Sequence, residues 1–125
     1  MTYLDAVLAG YANFVNFKGR ATRAEYWYFA LFSLLIGYGI MVIDRGVLGF
    51  SDGMAMTPLY LLFTVANLLP SLAVSFRRIH DIGRSAWSLL FIFIPLVGVI
   101  LIIYWFCKKG DEGSNAYGPP SSFGT

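Results

Sequence analysis

The sequence predicts an all-α membrane protein: three transmembrane helices, with an N-terminal amphipathic helix lying at the interface. Three observations lead there. First, three uncharged stretches, Tyr26–Ile43, Pro58–Phe76 and Ala86–Cys107, dominate the chain. Each is about as long as a helix must be to cross a hydrocarbon core of roughly 30 Å at about 1.5 Å per residue. Second, charge is scarce and segregated: charged residues make up 13% of the chain, and nearly all lie outside those stretches. A soluble domain carries about 25%. Third, the aromatic residues mark the stretch ends. Tyr26, Trp27 and Tyr28 open the first, Trp87 opens the third, and Tyr104 and Trp105 close it, as expected for rings at headgroup level.

The elements follow in order within a single membrane domain, residues 1–125. Residues 3–17 are too short and polar to span. Leu4, Leu8, Tyr11 and Val15 recur there at helical spacing, with Val7 and Phe14 beside them, which predicts an interfacial helix or one packed on the mouth of the bundle. Asp5 and the lack of a basic n-region argue against a signal peptide, so the first span is expected to be an uncleaved anchor. Transmembrane helices are predicted over 24–43, 58–76 and 86–107. Thr22-Arg23-Ala24-Glu25 has the form of a capping box. Thr57-Pro58 puts a capping hydroxyl before a first-turn proline, and Ser85 precedes the third run in the same way. Pro70 and Pro95 cannot donate to the carbonyls four residues earlier, which predicts a kink in each helix. The segment Asp44–Thr57 reads as a Gly-containing loop, and residues 110–125, rich in Gly, Ser, Asn and Pro, as an irregular tail.

The balance of basic residues predicts a cytoplasmic N-terminus. With three spans, Lys18, Arg20, Arg23, Arg77, Arg78 and Arg84 fall inside and Arg45, Lys108 and Lys109 outside; the last two argue the other way. A net charge of +2 implies no nucleic-acid partner. The single cysteine, Cys107, forms no internal disulfide. It reads as an interfacial apolar residue, with palmitoylation conceivable at a span end.

Two clusters are candidate sites. On the second span Tyr60, Thr64, Asn67, Ser71 and Ser75 share one helical face. Facing them, the first span offers Tyr26, Ala30, Ser33, Gly37 and Asp44, with Ser33 and Gly37 a small-xxx-small pair. These stripes read first as hydrogen-bonded glue between helices, second as a polar crevice for a solute, ion or headgroup. No ionised residue lies mid-span, which weakens ion coupling. The second cluster is Arg77-Arg78-Ile79-His80-Asp81-Ile82-Gly83-Arg84-Ser85. Its arginines can snorkel and set topology or, with Arg20 and Arg23, bind the phosphates of anionic lipids. Glu25 and Asp81 are the available counter-charges, and a pair from Arg77 or Arg78 to Glu25 would tie the first span to the second. His80 beside Asp81 has the residue types of a general base and its orienting partner. Adjacent residues orient one another poorly, and no nucleophile accompanies them. Asp81 is expected to cap local amides and Gly83 to take a positive φ. One His, one Cys and scattered carboxylates make no metal site.

Phe17-Lys18-Gly19-Arg20-Ala21-Thr22-Arg23-Ala24-Glu25-Tyr26-Trp27, then Arg77-Arg78-Ile79-His80-Asp81-Ile82-Gly83-Arg84-Ser85-Ala86-Trp87 with Ile94-Pro95-Leu96-Val97-Gly98, and finally Gly113-Ser114-Asn115-Ala116-Tyr117-Gly118-Pro119 together resemble a bacterial membrane family. This is the domain of unknown function 805 family, the YhaH-type inner-membrane proteins. The likeness covers almost the whole chain; Ala86 stands where the family often has Gly. It implies a small multi-pass protein of the bacterial inner membrane and brings no substrate, reaction or cofactor. Gly19, Arg20, Arg23, Glu25, Tyr26, Trp27, Arg77, Arg78, His80, Asp81, Gly83, Ser85 and Trp87 are its motif residues here. The expectation is a non-enzymatic module, without cofactor or metal, whose basic cytoplasmic rim of Arg20, Arg23, Arg77, Arg78 and Arg84 engages anionic headgroups or a partner protein. The alternative is a transporter or channel assembled as a homo-oligomer.

Overall fold

A computed structural model describes residues 3–47 and 57–120. The described residues are helical apart from turns and an isolated bridge between Asn115 and Gly118. The helices are α1 (Tyr3–Ala12), α2 (Arg23–Gly46), α3 (Pro58–Asp81), a 3₁₀ helix (Ala86–Phe93) and α4 (Val97–Cys107). Two of them, α2 and α3, are long and apolar enough to cross a bilayer by length and composition. Most of the loop expected after the first span lies outside the described residues, but Asp44–Gly46 still belong to α2.

Local signals set the helix starts where partners are close in sequence. The capping box before α2 is complete: the Glu25 amide donates to Thr22 Oγ1 at 3.2 Å, and the Thr22 amide donates to Glu25 Oε1 at 3.4 Å. The other two caps differ from expectation. The hydroxyls of Thr57 and Ser85 make no capping bond. Instead, Asp44 reaches across from the end of α2, and its Oδ2 accepts from the amides of Leu59 at 3.0 Å and Tyr60 at 3.3 Å. A carboxylate at a helix N-terminus satisfies orphan donors and favours the dipole. Asp44 is thereby fully buried.

Helix α1 ends at Ala12, short of the expected residue 17; the Asn13 side chain bonds back to the Ala9 carbonyl at 2.8 Å. The helix lies against α2 through small residues. Ala6, Val7, Ala9 and Gly10 are buried, while Leu4, Leu8 and Val15 face outward. The fit at Gly10 is close: a Cβ there would come 2.3 Å from the Phe29 ring. Phe29 joins Ala21 and Val74 in one core cluster, and Ile79, Ile82, Trp105 and Phe106 form a second.

The largest departure concerns the third apolar run. It was expected as one spanning helix over 86–107, kinked at Pro95. It is instead two short helices folded against each other. Pro95 has no amide to give the Phe91 carbonyl, which accepts that of Ile94 instead at 3.0 Å and closes the 3₁₀ helix. Leu96 then takes φ 62°, ψ −60°, and the Val97 amide donates to the Pro95 carbonyl at 2.7 Å. These are the angles and bond of a three-residue γ-turn, and they reverse the chain. Phe91 packs edge-on against Trp105 with centroids 5.6 Å apart. Gly98 lets the backbones meet, since a Cβ there would lie 1.6 Å from the Phe91 carbonyl oxygen. Each arm is about 16 Å long by helical rise, half a hydrocarbon core. Both ends of the run therefore lie at the C-terminal end of α3, where the Arg84 guanidinium sits 4.1 Å over the Trp105 ring.

Candidate functional site

The end of the molecule shared by the start of α2, the end of α3 and the end of α4 carries most of the sequence motifs. At its centre is Asp81. Arg20 Nε donates to Asp81 Oδ1 at 2.9 Å, and Arg78 Nη1 donates to Oδ2 at 3.1 Å. Both guanidinium groups then spend their remaining donors on main-chain carbonyls. Arg20 reaches Asp81 at 3.3 Å, Asp111 at 2.6 Å, Gly113 at 2.6 Å and Gly118 at 3.3 Å. Arg78 reaches Phe106 at 3.1 Å, Trp105 at 3.4 Å and Lys108. The last turn of α4 leaves carbonyls without helical partners. Arg78 takes them up, with Trp27 Nε1 donating to the Phe106 carbonyl at 3.1 Å and Arg23 to that of Cys107 at 3.4 Å.

Arg77 points the other way. Its Nη1 donates to the carbonyls of Asn13 at 3.0 Å and Asn16 at 2.9 Å, holding the turn after α1, and its Ala21-facing carbonyl accepts the Ala21 amide at 2.9 Å. Arg20, Arg77 and Arg78 are 6%, 3% and 0% exposed. These three were expected at a solvent-facing rim. They are internal because the fold brings carbonyls to them that no local sequence pattern announces. Arg84 stays exposed and bonds Ser88 Oγ at 3.2 Å, and Arg23 is half-buried. Lys18, Lys108 and Lys109, absent from the expected site, are exposed at the same end.

Asp81 was expected to cap local amides; its carboxylate instead pairs with two arginines, while its carbonyl accepts the Asp111 amide at 2.7 Å. Gly83 does take a positive φ, 80°, and Gly19 takes 87°. His80 Nδ1 lies 3.2 Å from the Gly19 carbonyl, and its ring stacks flat on Tyr117, centroids 4.1 Å apart. The tail residues Asp111, Gly113, Asn115, Tyr117 and Gly118 belong to this end; the Gly113–Pro119 motif is the signal for the last four, and none announces Asp111. Ser85 and Trp87 are exposed and stand apart from the Asp81 knot.

The polar face of α3 meets the small face of α2 at Asn67. Its Nδ2 donates to Ser33 Oγ at 3.0 Å and Ser71 Oγ at 3.1 Å, and its Oδ1 accepts from Tyr11 Oη at 2.6 Å. Burial pushes the Tyr11 phenol above its ordinary range, so it stays a neutral donor. Thr64 turns outward and bonds the Tyr60 carbonyl at 2.9 Å. Tyr60, Ser71 and Ser75 line a cavity of about 340 Å³ beside Asn67, shared with Tyr26 and Ser33 of α2. Among the described residues no group of three or more His, Cys, Asp or Glu is placed to hold a metal ion.

A family model described as "Protein of unknown function (DUF805)" matches residues 14–119. Inner membrane protein YhaI of Escherichia coli (strain K12) is 42% identical over 114 residues, 90% of this chain and 92% of that protein. Inner membrane protein YhaH of the same strain is 37% identical over 116 residues, 93% of this chain and 95% of that protein. No solved structure matches the chain.

Proposed function

Since the chain belongs to the DUF805 family of unknown function, whose relatives here are inner membrane proteins, we propose that it is a non-enzymatic module of the bacterial inner membrane that engages anionic headgroups or a partner protein. Its N-terminus and tail are both cytoplasmic. α2 and α3 cross the bilayer, α1 lies at the interface with Leu4 and Leu8 toward lipid, and the paired 3₁₀ helix and α4 dip to half depth as a re-entrant hairpin.

One observation carries this reading. The third apolar run turns back, so Lys18, Arg20, Arg23, Arg77, Arg78, Arg84, Lys108 and Lys109 gather at one end of the molecule, and Arg45 alone closes α2 at the other. The positive-inside rule then has one consistent solution. Lys108 and Lys109 no longer argue against it. Arg20, Arg77 and Arg78 tie the fold together, which leaves Lys18, Arg23, Arg84, Lys108 and Lys109 to face the anionic surface, each worth about 1 kcal/mol there. His80 and Asp81 are engaged with Gly19, Arg20 and Arg78, which supports a non-enzymatic role. The test replaces Arg23, Arg84, Lys108 and Lys109 with Gln and measures the anionic lipid that co-purifies. A folded variant that retains as much as the wild type removes the reading.

The cavity beside Asn67 favours a second reading, an oligomeric pathway for a small solute. The Asn67 amide is wholly engaged within the chain, which suits glue better than a gate. Native mass spectrometry showing a strict monomer in lipid would end it.

A further inference from the structure

Two polar side chains at the basic end that the Asp81 knot does not consume, Lys18 and His80, line one cavity. A cavity of about 380 Å³ opens between the turn before α2 and the tail, lined by Lys18, Gly19, His80, Ala116 and Tyr117. That is within the size range of small-molecule sites, about 300–1,000 Å³.

Three constraints define what fits. His80 Nδ1 faces the Gly19 carbonyl at 3.2 Å. A carbonyl only accepts, so Nδ1 carries the proton and Nε2 of the neutral ring is an acceptor. Among the described residues nothing occupies Nε2. The ring is also fixed: Tyr117 stacks on it at an interplanar angle of 2°, and Asn115 Nδ2 holds the His80 carbonyl at 3.0 Å. Second, Lys18 supplies an exposed ammonium, its backbone amide pinned by Asn16 Oδ1 at 3.2 Å. Third, the proposed topology puts the cavity at headgroup level. Phe17, just before Lys18, packs edge-on against Phe76 with centroids 5.0 Å apart, and Phe76 ends the uncharged stretch of α3.

A cation beside a fixed acceptor suits a ligand with a negative charge and, a few bonds away, a hydroxyl. We propose that this cavity binds a glycerophosphate group, with the phosphate on Lys18 Nζ and a glycerol hydroxyl donating to His80 Nε2. The proposal rests on the headgroup reading above and specifies which headgroup binds, and where.

The full-length protein is placed in phosphatidylcholine nanodiscs containing phosphatidylglycerol or phosphatidylmethanol, which has the same charge without the hydroxyls, and bound lipid is read by native mass spectrometry. The wild type retains phosphatidylglycerol about tenfold better, as one hydrogen bond allows. His80→Asn keeps a donor for the Gly19 carbonyl, lacks the Nε2 acceptor and loses that preference. Lys18→Gln, at an exposed position, lowers phosphatidylglycerol retention by about tenfold and reads the same site should His80→Asn not fold. Equal retention of the two lipids by the wild type overturns the proposal and leaves the headgroup reading standing; no retention of either, together with no binding of glycerol 3-phosphate, sinks both. Glycerol 3-phosphate titrated into discs free of anionic lipid separates the sources. His80-dependent binding there, without phosphatidylglycerol retention, assigns a soluble ligand; the reverse pattern assigns the lipid.

Discussion

At the scale of single residues, Asp81 matters most. It is 3% exposed and shared by two guanidinium groups that are themselves buried. Two cations on one carboxylate would be untenable there without the carbonyls of Trp105, Phe106, Asp111 and Gly113 taking the remaining N–H groups. Breaking such a set by removing one partner costs about 3–5 kcal/mol, because a charge is left buried and uncompensated. Asp81→Asn is therefore expected to destabilise the protein by that order in detergent unfolding, and to free the tail for proteolysis between Gly110 and Pro120. A variant with wild-type melting and an uncut tail would contradict the arrangement. The sequence placed Arg20, Arg77, Arg78 and Asp81 near one another but could not separate rim from interior. A guanidinium snorkels or turns inward according to what carbonyls it meets, and those come from a tail 91 to 98 residues away from Arg20.

At the scale of elements, the hairpin made by the 3₁₀ helix and α4 is the feature that hydropathy could not reveal. A 22-residue apolar run has the same mean hydropathy whether it crosses once or folds in two. Pro95 was legible as an interruption, but a kink and a reversal begin with the same missing amide. What decides for reversal is Leu96 at φ 62° followed by Gly98, whose Cα lies against the Phe91 carbonyl. Gly98→Ala is expected to cost about 1–3 kcal/mol through overpacking and to pull Trp105 from Phe91, read as a change in tryptophan emission. Leu96→Gly removes the penalty of a side chain in the left-handed region and should leave stability unchanged or higher. A Gly98→Ala protein with unaltered emission and melting would argue against the folded-back pair. The helix starts teach the same lesson: Thr22 and Glu25 sit three residues apart and were readable, while Asp44 caps α3 from 15 residues away.

At the scale of the whole molecule, the fold-back leaves α2 and α3 as the described helices long and apolar enough to cross a bilayer, and the proposed topology then puts Lys18 and Lys109 on one side. In a Cys107→Ser background, Lys18→Cys and Lys109→Cys are expected to react with an impermeant thiol reagent from the same side of the membrane, and Val47→Cys, at an exposed position after α2, from the opposite side. Labelling of Lys18→Cys and Lys109→Cys from opposite sides would restore a third crossing. The interaction of α1 with α2 and α3 also belongs to this scale. Tyr11 reaches Asn67, and Gly10 admits Phe29, so α1 is seated on the helix pair.

The sequence by itself determined the membrane setting, the two long helices, the capping box at Thr22, the polar face centred on Asn67 and the crowding of cations around two motifs. Each of these is a matter of composition or of residues within a few positions of one another, where periodicity and local hydrogen bonding act. Only the tertiary structure decided that the last apolar run returns on itself, that Asp44 caps its neighbour, and that Arg20 and Arg78 face inward to hold the tail. Those outcomes depend on which carbonyls and carboxylates meet across long separations, and that meeting is settled by packing rather than by any local pattern.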